Sequence, residues 1–414
     1  MFQKTKFLKN YIIAVGMSLV MLMASAFGLL IETKVGQITP PLATDTWEDY
    51  AVKPSGSATE ADPWKINTAS ELAYLINNIG DGTYYIELNS NIDLAGHEWT
   101  PIKSIKKNAK INFDGKDHTI SNLTIDTVEE NKKASFFEEI SYNYDASLHF
   151  SNTIFNNVNI NGPASVGTIV GYAINTTIIN VIIQSGSIKG NSYVGGIGGM
   201  LWGSCNDCVN NARIYSKEGS AGGIVGHGNT QHRCINTGTV IGGNAVGGIV
   251  GYGEAEDCFS SGTVRTSYNN CVIGGVVGYG TAINSGFDGT IECNYLPDYL
   301  GSIAGNGGET DEIKNSFGVA EIHLDYENAD TAIVNKFGAI VSNNLNNSYS
   351  YSKVFALGKS SEEYRKYKGT DFSAFAYHKN INGGFPFHKT LFAVGQFLSG
   401  DVLAYLQQFG FSSN

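Results

Sequence analysis

The sequence predicts an all-β chain wound as a right-handed parallel β-helix, with short capping helices at both ends. Three observations point there. A seven-residue phrase recurs as VGTIVGY at Val166–Tyr172, VGGIGGM at Val194–Met200, AGGIVGH at Ala221–His227, VGGIVGY at Val246–Tyr252, IGGVVGY at Ile273–Tyr279 and LGSIAGN at Leu300–Asn306, in steps of 28, 27, 25, 27 and 27 residues. A second phrase, a small residue two places before Ile or Val, keeps phase with it at Gly186–Ile188, Ala212–Ile214, Gly238–Val240, Gly262–Val264, Gly289–Ile291 and Ala320–Ile322. No helical pattern lies between the two phrases, which excludes βαβ repeats. The unit is also shorter than the ~40 residues of a four-stranded propeller blade. A fixed period with short strands means stacked coils, each covering its neighbour's apolar face. Parallel crossovers prefer the right hand.

Composition agrees. The chain has 414 residues, 42% hydrophobic and 16% charged, with 50 glycines and 8 prolines. That is too apolar for disorder, and the glycines lack the three-residue period of collagen. Net charge is −11, and the first 26 residues hold Lys4, Lys6 and Lys9 but no acid, so cleavage after Ala26 would leave −11 − 3 = −14. Such a chain repels nucleic-acid phosphates and anionic lipid, so nucleic acid is excluded as a partner.

Residues 1–26 read as an export signal: three lysines, an apolar run from Tyr11 to Met23, and Ala24-Ser25-Ala26 as a small-x-small cleavage site. The competing reading is an uncleaved anchor, since the apolar run extends to Ile31 and about 20 residues span a bilayer; this is the one route to a membrane that the sequence offers. Residues 27–60 read as a linker. The β-helix is placed over 61–390, clearest over 151–322. Its first cap is a helix begun by a Thr68/Glu71 capping box, with Leu72, Leu75, Ile76 and Ile79 on one stripe and Gly80 as a left-handed C-cap. Tyr84–Leu88, Ile92–Leu94 and His118–Ile125 follow as strands. Beyond residue 323 the phase is lost, although Phe337–Val341 resembles a degenerate copy. Residues 391–414 carry apolar side chains at helical spacing and are expected to cap the far end, where open strand edges invite aggregation.

Trp64-Lys-Ile66, Thr68-Ala-Ser-Glu-Leu72, Asn91-Ile-Asp-Leu-Ala-Gly96, Trp99-Thr-Pro-Ile102, Phe113-Asp-Gly115 and His118-Thr-Ile-Ser-Asn-Leu123 run in an order that resembles bacterial secreted proteins with GLUG-type repeats. The VGGIVGY phrases resemble the repeat itself, and Ile381-Asn-Gly-Gly-Phe-Pro386 looks like the close of such a module. The resemblance covers residues 60 to 390. It implies an extracellular β-helix of adhesin-like cell-surface proteins. Such modules also accompany immunoglobulin A1 proteases, whose catalysis resides in a separate zinc peptidase domain. This chain contains no His-Glu-x-x-His, so the peptidase activity does not carry over.

Three groups of residues are candidates for chemistry. Cys208, Cys234 and Cys258 each lie four residues before the second phrase and are expected to stack in one column, with Ile182, Ser285 and Ser316 filling the same place elsewhere. A disulfide and a ladder of free thiols both fit, and parallel side chains strain the bridge geometry. Cys205, Cys271 and Cys293 fit no column and are expected in loops. Cys205-x-x-Cys208 alone lacks the second ligand pair that zinc needs, with His227 and His232 the nearest candidates. No metal or cofactor is assigned.

Glu254, Glu256, Asp257, Asp288 and Glu292, with Arg265, form the acid-rich set that a polysaccharide lyase or glycoside hydrolase would need; a solvated turn surface is the reading preferred for them. The last position of the first phrase holds Tyr172, Met200, His227, Tyr252, Tyr279 and Asn306. If it points outward, Tyr172, Trp202, His227, Tyr252 and Tyr279 form an aromatic stripe for sugar rings or a partner protein. The reading adopted is an exported, secreted or cell-surface, adhesin-like protein that binds an extracellular glycan or protein through this stripe; the alternative is the enzyme on the same scaffold.

Overall fold

Backbone hydrogen bonds run from coil to coil in parallel. The computed structural model describes residues 45–324 except 104, 106–107, 141–144, 296, 307–310 and 315, together with strand backbone at 345–346, 349–356 and 370–371. The segments read as export signal (1–26) and C-terminal capping helix (391–414), the Phe337–Val341 copy and the closing Ile381–Pro386 lie outside the described residues.

Parallel pairing begins with Trp64–Ile66 on Gly82–Leu88 and passes up the stack to Phe317–Leu324 on Tyr349–Ala356. The fold is therefore the expected parallel β-solenoid. One antiparallel pair, Lys353–Val354 with Thr370–Asp371, lies at the far end. In the repeat region each coil has a lead strand (Val194–Gly195), a broad strand (Gly198–Asn206), a corner, a two-residue strand (Val209–Asn210) and a closing strand (Arg213–Ser216). The lead strands of five coils form a sheet of their own.

The first phrase is not one strand. It divides into a lead strand, Ala245–Gly247, and the start of a broad strand at Val250. Alternation holds only within a strand, and the bend at Gly248–Ile249 resets it. Val246, Ile249 and Val250 are thus all fully buried. Glycine is required at the bend because a Cβ on Gly248 would sit 2.2 Å from the Gly275 carbonyl oxygen of the next coil. The second phrase supplies the opposite wall. Ile188, Ile214, Val240, Val264, Ile291 and Ile322 are partners in successive registers and all buried. In the early coils aromatic residues fill this interior, with Phe113 on Phe150 at 4.5 Å and Trp99 on Phe136 at 4.6 Å.

The corner after the broad strand is made by left-handed residues: Asn180, Asp207, Arg233, Asp257 and Asn284, with φ between 48° and 55°. Asn and Asp tolerate this region better than other side chains. Neighbouring coils are tied across it. Asn180 Nδ2 donates to Asn152 at 2.8 Å, Arg233 to Asp207 at 2.7 and 3.0 Å, and Asn284 to Asp257 at 3.1 Å. Just beyond, Asn210 and Asn236 are wholly buried yet satisfied. Asn210 Nδ2 donates to Asn236 Oδ1 at 2.9 Å, and the Asn236 amide closes its own turn through the Gly238 N–H and C=O.

Two expectations for the first coils change. The Thr68/Glu71 capping box forms, but the helix breaks at Tyr74 into Ala69–Ala73 and Leu75–Asn78. Ile79 ends it in an extended conformation, and the Gly80 N–H is met by the Tyr84 hydroxyl at 3.0 Å, so no left-handed cap is needed. Tertiary packing sets the break, since Leu72, Leu75 and Ile76 are buried and Tyr74 meets the edge of Trp64. Residues 46–60, within the stretch expected as linker, are docked. Trp47 donates to the Leu94 carbonyl at 2.9 Å and packs on His97 at 4.9 Å, and Ser55 bridges to Lys65. Composition averages hid these anchors.

Replacing Asn236 by Ala strands both the Asn210 amide and the Gly238 turn in the core. Leaving buried polar groups unpaired costs about 1–3 kcal/mol, so the urea midpoint of Asn236→Ala should fall while Asn161→Ala, at an exposed position, stays close to the parent.

Candidate functional site

The last position of the first phrase points outward: along the broad strand Tyr252 and Glu254 are exposed while Gly251, Gly253 and Ala255 alternate with them on the buried side, and Leu201 beside Met200 fills the interior. Register joins Tyr172 to Met200, Met200 to His227, His227 to Tyr252, Tyr252 to Tyr279 and Tyr279 to Asn306. Trp202 lies two residues after Met200 on the same face. The rings from Trp202 onward are in contact: Trp202–His227 at 5.2 Å, His227–Tyr252 at 4.7 Å and Tyr252–Tyr279 at 4.8 Å. The first two pairs are tilted by 54° and 46°, while the tyrosines stack within 2°. Trp202 is 39% and Tyr252 44% exposed, whereas Tyr172, His227 and Tyr279 are half-buried. Met200 separates Tyr172 from this run, and Lys133 lies over the Tyr172 ring at 5.9 Å. Four of the five expected residues thus form one continuous stripe, and Tyr172 stands at its edge.

A groove of about 310 Å³ opens beside the tyrosines. Gly228, Gly253 and Gly280 line it. Gly253 and Gly280 have φ of 148° and 133°, and a Cβ on Gly280 would lie 1.9 Å from the Gly253 carbonyl oxygen. No side chain can occupy this floor. Tyr252 borders it on one side, and Asn229, Thr230, Glu254 and Asp311 supply polar groups around it. Thr230 donates to Glu254 at 2.6 Å, which fixes the carboxylate at the groove. Tyr193, in edge contact with His227 at 5.2 Å, widens the aromatic surface. Sequence reading missed Tyr193, Asn229 and Asp311; only the glycine after Tyr252 and Tyr279 hinted at a groove.

Electrostatics favour neutral or hydrogen-bonding ligands. Burial lowers the pKa of His227, which keeps its ring uncharged among the aromatics. Burial, with Tyr252 alongside, raises that of Tyr279, which stays a phenol donor.

The acid-rich set does not converge. Glu254 and Glu256 lie on the broad strand Val250–Glu256, Asp257 on the corner, and Asp288 and Glu292 beyond it on Gly286–Cys293. Arg265 is the register partner of Glu292 and ion-pairs with it. Glu256 lies 3.1 Å from His232, and Asp257 accepts from Asn284 at 3.1 Å. Burial raises the pKa of Asp288. Glu256, Asp257 and Glu292 thus join one coil to the next.

All six cysteines are unbridged and buried. Cys208, Cys234 and Cys258 do share a column, continued by Ser285 and Ser316. The Cys234 N–H is 3.3 Å from Cys258 Sγ, Cys258 N–H 3.1 Å from Ser285 Oγ, and Ser285 N–H 3.1 Å from Ser316 Oγ. The position needs a small acceptor, which explains why Cys and Ser interchange there. Ile182 is not in this column. It pairs with Val209, one place further on, because Gln184 and Ser185 add a residue to that coil.

Cys205 is not in a loop. It lies within a broad strand, faces the core, and is the register partner of Ile178 and Gln231. Cys293 likewise ends a strand, and Cys271 is buried just before another. The sulfurs of Cys205, Cys208 and Cys234 lie within 4.8 Å of one another, the one such donor group among the described residues. Burial raises Cys205 and Cys234; at Cys208 burial acts the same way, but hydrogen bonds from Cys205 and Cys234 outweigh it and its pKa is lowered. His227 and His232 face the other side of the strand and are not part of this group.

No family model matches the chain. Over 234 residues it is 28% identical to an immunoglobulin A1 protease of Streptococcus sanguinis, a match covering 51% of this chain and 12% of that protein. A solved structure of a provisionally assigned immunoglobulin A1 protease from Bacteroides ovatus superimposes with a TM-score of 0.45 at 20% identity, over 66% of this chain and 80% of that one. Among the described residues no helix is long and apolar enough to cross a membrane.

The lowered pKa of His227 has a consequence for stability. Above the unfolded value near 6.5 the ring is neutral in both states. As pH falls through that value the unfolded chain takes up the proton first, so stability declines until the folded pKa is passed. In His227→Gln, the loss of thermal stability on going from pH 7.5 to 5.5 should be smaller than in the parent.

Proposed function

We propose that the chain is an exported β-solenoid, of the GLUG-repeat kind found in secreted and cell-surface bacterial proteins, and that its lateral stripe binds a neutral glycan. One observation carries this reading: tilted rings at Trp202, half-buried His227 and Tyr252, the first and last of them exposed, run along the axis beside a glycine-floored groove with acceptors at Glu254 and Asn229. A ring face next to fixed acceptors matches a hydroxylated sugar, which offers C–H faces for stacking and O–H groups for donation. Glu254 and Asp311 at the groove, and the overall charge of −11, disfavour uronic or sialic acids. The similarity to part of an immunoglobulin A1 protease supports an extracellular setting. It bears on the segment aligned and not on the protease's chemistry.

The polysaccharide-cleaving alternative loses support from the ion pair that neutralises Arg265. It would be recognised by new reducing ends or unsaturated products from a panel of polysaccharides.

A glycan array carrying neutral and acidic ligands tests the proposal. Binding is expected among the neutral set, and Trp202→Ala and Tyr252→Ala should each weaken it roughly 5- to 30-fold, as loss of about 1–2 kcal/mol at an aromatic anchor implies. Both sites are exposed, so circular dichroism should be unchanged. Retention of acidic glycans alone, or equal affinity in both variants, would contradict the reading.

A further inference from the structure

The three converging thiols have no part in the stripe, and the interior around them holds a second anomaly. Gln231 is wholly buried. Its Nε2 donates to the Asn229 carbonyl at 2.7 Å, but its Oε1 has no hydrogen-bond partner. Among the described residues few buried side-chain oxygens are left in this state, and an unpaired buried acceptor is costly. Gln231 is the register partner of Cys205 and stands three residues before Cys234. It therefore occupies, on its own coil, the place that Cys205 occupies beside Cys208. The orphaned oxygen and the three sulfurs belong to the same two adjacent columns of the same two coils.

We infer that Cys205, Cys208 and Cys234 form a closed binding site for one zinc ion between two coils, with the side-chain oxygen of Gln231 as the fourth donor. Zinc in structural sites takes four ligands and favours thiolates. Each thiol gives up its proton to solvent as the ion binds, so three thiolates and a neutral amide leave a net charge of −1. Copper(I), the other thiophilic ion that suits such donors, would leave −2 in the same apolar interior, and it has no need of a fourth ligand. The smaller buried charge and the available oxygen both select zinc. Cys258 sits in the sulfur column one coil further on, but it has Ala255 rather than a second donor at the neighbouring position. The ladder alone does not make the site; the pairing of Cys205 with it does. Because the donors are buried, the ion would be captured as the coils close and would then resist chelators.

The test uses the full chain, refolded under reductant with zinc or cobalt(II) and then dialysed against a weak chelator. About one zinc per chain is expected by elemental analysis, and the cobalt form should show thiolate-to-cobalt charge-transfer absorption. Cys205→Ser and Cys234→Ser should lose most of the bound metal. Cys258→Ser, in the same ladder, should keep it, and Gln231→Leu should weaken retention at least tenfold. The cobalt spectrum of the unsubstituted chain decides the matter even if a variant does not fold. Absence of retained metal with six reactive thiols on denaturation, a disulfide among the three cysteines after reduced refolding, or preferential retention of copper(I) over zinc would each overturn the assignment.

Discussion

Parallel hydrogen bonding between coils forces equal positions of successive repeats to lie directly above one another, and this constraint governs the rest of the molecule. Whatever side chain a position holds, it must tolerate a near copy of itself about 4.8 Å away. Aliphatic side chains do so without penalty, as the Ile188-to-Ile322 wall shows. Asparagine does so because each amide carries both donor and acceptor, so Asn210 can feed Asn236. Cysteine and serine do so by accepting the N–H of the adjoining coil. Like charges cannot, and the corner column alternates accordingly: Asp207 is followed by Arg233, then Asp257, then Asn284.

The same rule turns a single outward aromatic into a surface. One exposed tyrosine on a strand is ordinary. Repeated at the same place over consecutive coils, it becomes a ribbon of rings in mutual contact, with its spacing set by the backbone rather than by side-chain preference. Gly253 and Gly280 add the complementary feature, because stacking an absence of side chains produces a trough. The ribbon and the trough come from adjacent positions of one phrase, Tyr-Gly, so a short repeat specifies both halves of a binding surface.

Periodicity made the stack, its parallel pairing and the Cys/Ser column legible in the sequence, since these depend only on which positions recur. Side-chain direction was harder. The phrase VGGIVGY defeats any single alternation, and only the bend at Gly248–Ile249 reconciles Val246, Ile249 and Val250. Features outside the period were lost altogether. Trp47 anchors a segment whose composition reads as linker, and Gly80 looks like a helix terminator that Tyr84 makes unnecessary. Cys205 looked solitary because its partner column is occupied by Gln231, Ala255 and Ala282. Columns of unlike residues leave no trace in a search for repeats.

Column logic also separates structural from functional polar groups. A polar side chain that serves the stack finds its partner one coil away, as Glu256 does in His232 and Glu292 in Arg265. Acids engaged in this way hold coils together, and their number on the surface says little about catalysis. A polar group that the stack leaves unsatisfied asks for something the chain does not provide. By that criterion the exposed rings beside the groove and the orphaned Gln231 oxygen beside three thiols stand apart from the acid-rich turns, although the acids are the more conspicuous in the sequence.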